Sequence, residues 1–289
     1  QPWAHRFGDR WHGDLVDRVL IGIRPFLKAT HSELNRLVFA VGTDYVFEDE
    51  QASLVDGDAA LRFLTSVYYP GDEVYLGFLG MQRIQEDRDG EVLKKTTLDL
   101  YGSWTVPVFE VGGEFRLQGE GVLFFGTTDR VRTSGRDESE MLAFSGVLRT
   151  EFRWRCPDIA TALEFGYASG DPDPEDGELQ AFTSDPDYRV GFVLFPDVLR
   201  LLSLRGAEKL AARPSTDGQD YGAEEIPTDG GIRNTIYLNP TVTWRPGPWH
   251  LTVAALMAWS AVPYIDAYET IEEGQPRDQS GNVPGRYYG

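Results

Sequence analysis

Apolar and polar residues alternate one for one through several long stretches of this chain. In "TTLDLYGSWTVPV", Leu98, Leu100, Trp104, Val106 and Val108 fall on one face and Thr97, Asp99, Tyr101, Ser103 and Thr105 on the other. "LAFSGVLRTEFRWR" sets Leu142, Phe144, Leu148, Phe152 and Trp154 against Ser145, Arg149, Glu151, Arg153 and Arg155. "DIATALEFGYAS" and "NTIYLNPTVTW" repeat the pattern. A period of two belongs to a strand with chemically different faces, because successive side chains point to opposite sides. Less regular segments of the same kind lie near 15–24, 37–47, 59–69, 73–84, 114–126, 187–195 and 249–261. Most are about ten residues or longer, whereas soluble strands average about five or six. About nine to eleven residues suit a tilted strand that crosses a bilayer.

The connections alternate too. Short turns fall at Pro70-Gly71-Asp72, Val111-Gly112-Gly113, Cys156-Pro157-Asp158 and Pro246-Gly247-Pro248. Long polar loops fall between them, near 48–58, 85–94, 127–140, 170–187, 207–232 and 262–285. Short turns on one side and long loops on the other are the habit of outer-membrane barrels. The sequence therefore predicts an all-β fold, an antiparallel up-and-down transmembrane β-barrel with about twelve strands in this chain. Residues 1–289 read as a single β-barrel domain, processed or partial, since "QPWAHRF" has no initiator Met and no signal-peptide character. Residues 197–212 have helix-favouring composition, yet loop alternation favours a turn at Pro196-Asp197 followed by a strand.

In a membrane barrel the apolar face meets lipid and the polar face lines a wet lumen. Glu114, Arg116, Glu120, Arg149, Glu151, Arg153, Arg155 and Glu164 fall on the polar face, and their mixed signs predict cross-strand ion pairs. Tyr69, Trp154, Trp244 and Trp249 flank short turns and form a candidate aromatic girdle at the membrane interface. Between Asp171 and Asp187 stand seven acidic residues and no basic one, on what would be an external loop. Its Asp171, Asp173, Glu175 and Asp176 are candidate oxygen ligands for Ca²⁺, although they lack EF-hand spacing. Such a rim of carboxylates would meet lipopolysaccharide through divalent cations. No other cofactor is expected.

Composition narrows the function classes. With 27 basic against 46 acidic residues the net charge is −19, which argues against a nucleic-acid partner. Cys156 is the single cysteine and the four histidines are scattered, so neither an internal disulfide nor a His/Cys metal motif is available. The chain holds no HExxH, GxSxG, phosphate-binding loop or dinucleotide fingerprint, and no catalytic residue is assigned. Acid pairs such as Glu138 and Glu140 leave a soluble β-rich carbohydrate-active protein as a minor alternative.

"LEFGYASGDPDPEDGELQAFTSDPDYRVGFVLF" resembles the alginate-export family of outer-membrane barrels, in which a strand ending in Tyr-Ala-Ser-Gly-Asp opens a long acidic external loop. "FTSDPDYRVGFVLF" and "GDLVDRVLIGI" are more similar still to uncharacterised barrels of deltaproteobacteria, myxobacteria included. The resemblance implies a barrel of about sixteen to eighteen strands, incomplete here at both ends, in the outer membrane of a Gram-negative bacterium. It implies a porin-like channel or export conduit for small or polymeric hydrophilic solutes, working by passive diffusion. Its partners would be outer-membrane lipid, lipopolysaccharide and other envelope proteins. The balance of Glu against Arg on the polar face argues against a polyuronate cargo. A barrel that anchors a larger envelope assembly is the alternative.

Overall fold

A computed structural model describes residues 14–28, 33–49, 51–108, 112–130, 138–173, 176–185, 188, 190–191, 194–199, 201, 231–263, 265 and 277. Twelve strands are found among them: β1 (Leu15–Ile23), β2 (Val38–Glu48), β3 (Ala59–Pro70), β4 (Val74–Glu86), β5 (Val92–Val108), β6 (Gly113–Thr128), β7 (Ser139–Arg155), β8 (Asp158–Ala168), β9 (Glu178–Leu179), β10 (Thr235–Trp244), β11 (Leu251–Ala254) and β12 (Met257–Ser260). From β1 to β8, and on to β10 and β11, each strand pairs antiparallel with the next in chain order. This is an up-and-down meander. β12 continues along β10 beyond β11, and the two-residue β9 pairs parallel with the loop end of β7. Among the described residues the sheet is open, with β1 at one edge and β11 and β12 at the other.

Strand length follows the sequence, and so does loop length except near 85–94, where a long loop was expected but β4 runs to Glu86 and β5 begins at Val92, leaving only 87–91 between them. β5 and β7 each run 17 residues and β6 runs 16. Residues 71–73, 109–112, 156–157 and 245–250 make short connections at one end of the sheet. Residues 49–58, 129–138 and 169–234 make long ones at the other. The connection 24–37 is the long exception at the turn end. Its 3₁₀ turn, Glu33–Arg36, is held to the β3–β4 turn by Arg36 and Asp72, 2.9 Å apart, and by Tyr69, whose hydroxyl donates to Glu33 at 2.8 Å.

Two stretches depart from expectation. A strand was expected over 187–195, but no strand includes the residues described there, and Leu194–Leu199 form a short π-helical turn. Tyr188 and Val190, which share one phase of the alternation, turn to the sheet's polar face, and Phe195, out of phase with them, is buried there too. The helical turn takes in residues 197–199, where a strand had been favoured; of the rest of 197–212, only Leu201 lies within the described residues. The segment near 249–261 divides into β11 and β12, and at the break Leu256 packs against the same buried cluster.

Candidate functional site

The register brings the predicted polar-face residues together. Glu114 stands opposite Arg153, Arg116 opposite Glu151, and Arg149 opposite Glu164. Arg149 bridges two carboxylates, Glu164 at 3.2 Å and its own-strand neighbour Glu151 at 3.3 Å. Arg116 lies 3.7 Å from Glu114. Arg153 prefers Asp158 across the turn, at 3.1 Å. Glu120 shares the face farther along β6, and Arg155 ends β7 in register with Asp158.

Glu164 anchors something the alternation did not reveal. Its Oε1 accepts hydrogen bonds from the hydroxyls of Tyr188 and Tyr237, each at 3.0 Å, and those two oxygens are 2.6 Å apart. Tyr237 belongs to β10, but Tyr188 comes from the long loop after β8. Beside it Phe182, Val190 and Phe195 pack on Ala143, Ala168 and Tyr237, all on the polar face. Phe182 also stacks on Phe124 of β6, with ring centroids 5.3 Å apart. The loop thus folds inward over the charged wall. Gly166 makes the docking possible, because a Cβ there would collide with the Tyr237 ring that reaches across to Glu164.

A second inward loop closes over β1–β4. Arg18, Asp44, Arg62, Arg83 and Lys95 form one cross-strand row on the polar face. Arg62 and Arg83 are directly opposite one another, an arrangement that is destabilising unless counter-charged. Asp44 takes Arg18 in a two-point contact at 2.7 and 2.8 Å, and Asp14 takes Arg62 at 2.7 Å. Asp49 enters from the 49–58 loop. It accepts from both terminal nitrogens of Arg83 and lies 3.7 Å from Arg62. Gln85, fully buried, accepts from Arg83 Nε at 2.8 Å and donates to the Gln51 carbonyl at 2.7 Å. Val46, Ala52 and Ala60 seal the loop with a small apolar cluster.

Sequence reasoning missed this row. Arg18, Arg62 and Arg83 sit at polar positions of strands whose alternation is less regular. The available signal was their phase, in register with Val46, Leu64 and Gln85 rather than with Leu61, Phe63 and Ile84.

Asp49 gives the loop a pH dependence. Burial alone would raise its carboxyl, but hydrogen bonds from Arg83, that guanidinium's charge, the Gln51 amide and the charge of Arg62 outweigh burial and hold it below its ordinary value of 3.8. A carboxyl lowered by folding stabilises the folded loop above its unfolded pKa and loses that contribution as pH falls through the folded one. Residues 51–58 should therefore stay protected down to about pH 4 and open below it, as read by hydrogen exchange between about pH 6 and pH 2.

No family model matches the chain. No curated protein and no solved structure matches it either. Its geometry therefore carries the functional reading.

The acidic loop is used structurally. Asp171 is buried, and its two oxygens accept the Asp173 and Gln180 amides, each at 3.0 Å. Asp176 accepts the Glu178 amide at 2.8 Å. Glu175 lies outside the described residues. Among the described residues no three His, Cys, Asp or Glu side chains converge as a metal site would require.

The outward face is mostly apolar, with Asp17, Gln82, Lys94 and Glu140 on it towards the long-loop end. Leu100, Leu142 and Phe144 are 62%, 58% and 49% exposed, and no second layer covers them among the described residues. Trp154, Trp244 and Tyr69 share this face at the turn end, and Trp249 projects from the β10–β11 turn, 70% exposed. Trp154 meets Phe152 edge to face at 4.4 Å, and Trp104 meets Phe115 at 6.3 Å.

Proposed function

We propose that this chain is part of an outer-membrane β-barrel that acts as a passive, porin-like conduit for hydrophilic solutes, narrowed by loops folded into its lumen. One observation carries the reading. Among the described residues a single meandering sheet exposes a broad, mostly apolar face with no partner layer and turns its ion pairs to the other side. Water would penalise that face, since monomeric soluble proteins rarely leave apolar patches above a few hundred Å². Hydrocarbon would not.

Dimensions agree. Trp154 and Phe144 are ten residues apart on the outward face of β7. At about 3.3 Å per residue and a tilt of about 40°, their separation is about 25 Å along the membrane normal, the height of a lipid-facing band. The acidic long-loop end would face outward, where divalent cations can join carboxylates to lipopolysaccharide. The resemblance to alginate-export and deltaproteobacterial barrels points the same way. Within this reading no chemistry is catalysed, and charged side chains set the selectivity.

Planar-bilayer recording of the purified protein tests the conduit: discrete current steps are expected. Orientation has its own probe. Cys156 is exposed in the two-residue turn between β7 and β8. An impermeant maleimide should leave it unlabelled on intact cells and label it once the outer membrane is opened.

A second reading has a specific observation behind it. Two loops occupy the polar face at the long-loop end, as they would in a closed barrel serving as an anchor for an envelope assembly. A detergent-stable protein that carries no current and co-purifies with stoichiometric partners would favour that reading.

A further inference from the structure

Among the described residues nothing covers the turn end of the polar face. There β3 to β6 enclose a hollow of about 680 Å³ floored by tyrosines. Tyr68, Gly77 and Tyr101 stand in one cross-strand row, so the glycine leaves a gap between two rings. The Tyr75 ring leans towards that gap, its hydroxyl 4.0 Å from where a Gly77 Cβ would be. It meets Tyr101 edge to face at 5.6 Å. Ser103 faces Tyr75 across the strands and is too small to cover it. All three rings are partly exposed. Polar groups ring them: Gln118 donates to the Tyr101 hydroxyl at 3.0 Å, and Asp99 has one carboxylate oxygen with no hydrogen-bond partner.

We propose that this hollow is a binding subsite for a neutral linear saccharide, an inference that rests on the conduit reading and names its solute class. Flat aromatic faces accept the C–H faces of sugar rings, and the amide and carboxylates beside them meet hydroxyls. Charge selects among sugars. Glu73, Asp99 and Glu120 line the hollow against one cation, Arg116, which already lies beside Glu114, while Asp72 is held by Arg36. A uronate would be repelled, whereas an uncharged glycan is not.

The test records single-channel current from the full chain with maltohexaose, and with hexagalacturonate as the charged control. Maltohexaose should interrupt the current in a concentration-dependent way. Tyr101→Ala should raise the half-blocking concentration about tenfold, the equivalent of one lost contact, while Tyr101→Phe, which keeps the ring, should stay within about threefold of the parent. Heat-modifiable migration on gels checks that each variant is folded. A conducting channel that maltohexaose fails to block at about 10 mM overturns the subsite and leaves the conduit standing. Stronger block by hexagalacturonate overturns the neutral assignment. If no current flows, saturation-transfer NMR in micelles decides. Maltohexaose contacts that vanish in Tyr101→Ala uphold the subsite while the conduit falls, and no contact at all overturns both.

Discussion

Leu100→Arg should destabilise this protein in a bilayer by about 2–4 kcal/mol while leaving almost no mark on a soluble sheet of the same shape. Leu100 sits midway along β5 on the outward face and is 62% exposed. In water, replacing an exposed leucine by arginine changes stability by less than about 0.5 kcal/mol. At the midplane of a bilayer the guanidinium must leave water or drag it in, at about 2–4 kcal/mol. The sign and size of the effect therefore identify the medium. Urea titration in lipid vesicles, compared with Thr97→Arg on the polar face of the same strand, gives the measurement. A cost below about 1 kcal/mol for Leu100→Arg would remove the lipid-facing assignment.

Glu164→Ala should free the inward loop. The carboxylate is buried, accepts two tyrosine hydroxyls and pairs with Arg149. Removing one partner of a buried, hydrogen-bonded pair costs about 3–5 kcal/mol. Arg149 retains Glu151, so the lower end of that range applies. Three readouts should move together: faster hydrogen exchange at residues 180–191, a larger single-channel conductance, and longer open times. Tyr188→Phe removes only a hydroxyl from the loop side and should give a smaller change in the same direction. Unchanged conductance with an exposed loop would mean that this loop does not limit the pore.

The two latches also explain what the sequence reveals and what it conceals. β5 and β7 are legible because most of each, 97–108 and 142–155, has one apolar and one polar face, the mark of a strand between two media. The short turns are legible because Gly and Pro mark them. The stretch 187–195 misleads because its alternation is genuine but serves a different surface. Tyr188 and Val190 share a phase and meet the cluster of Tyr237 and Ala143, and a period of two is blind to which side of the sheet receives them. The phase of Arg149 and Glu164 is legible, whereas their pairing needs the register between β7 and β8, fixed by a turn of two residues. Asp49 is hidden for a stronger reason. It comes from a loop, and nothing in "EDEQASLVDGD" states that its carboxylate folds back between two guanidiniums.

Arg62 and Arg83, held face to face across β3 and β4, bear on how the protein is made. A β3–β4 hairpin alone would oppose two positive charges with no acid of its own between them. The neutralising oxygens come from Asp14, Asp44 and Asp49, all earlier in the chain. The opposed guanidiniums cost this hairpin up to about 1 kcal/mol on its own. β2 and the segments around it relieve that cost, so the pairing of β3 with β4 is tied to chain that precedes them.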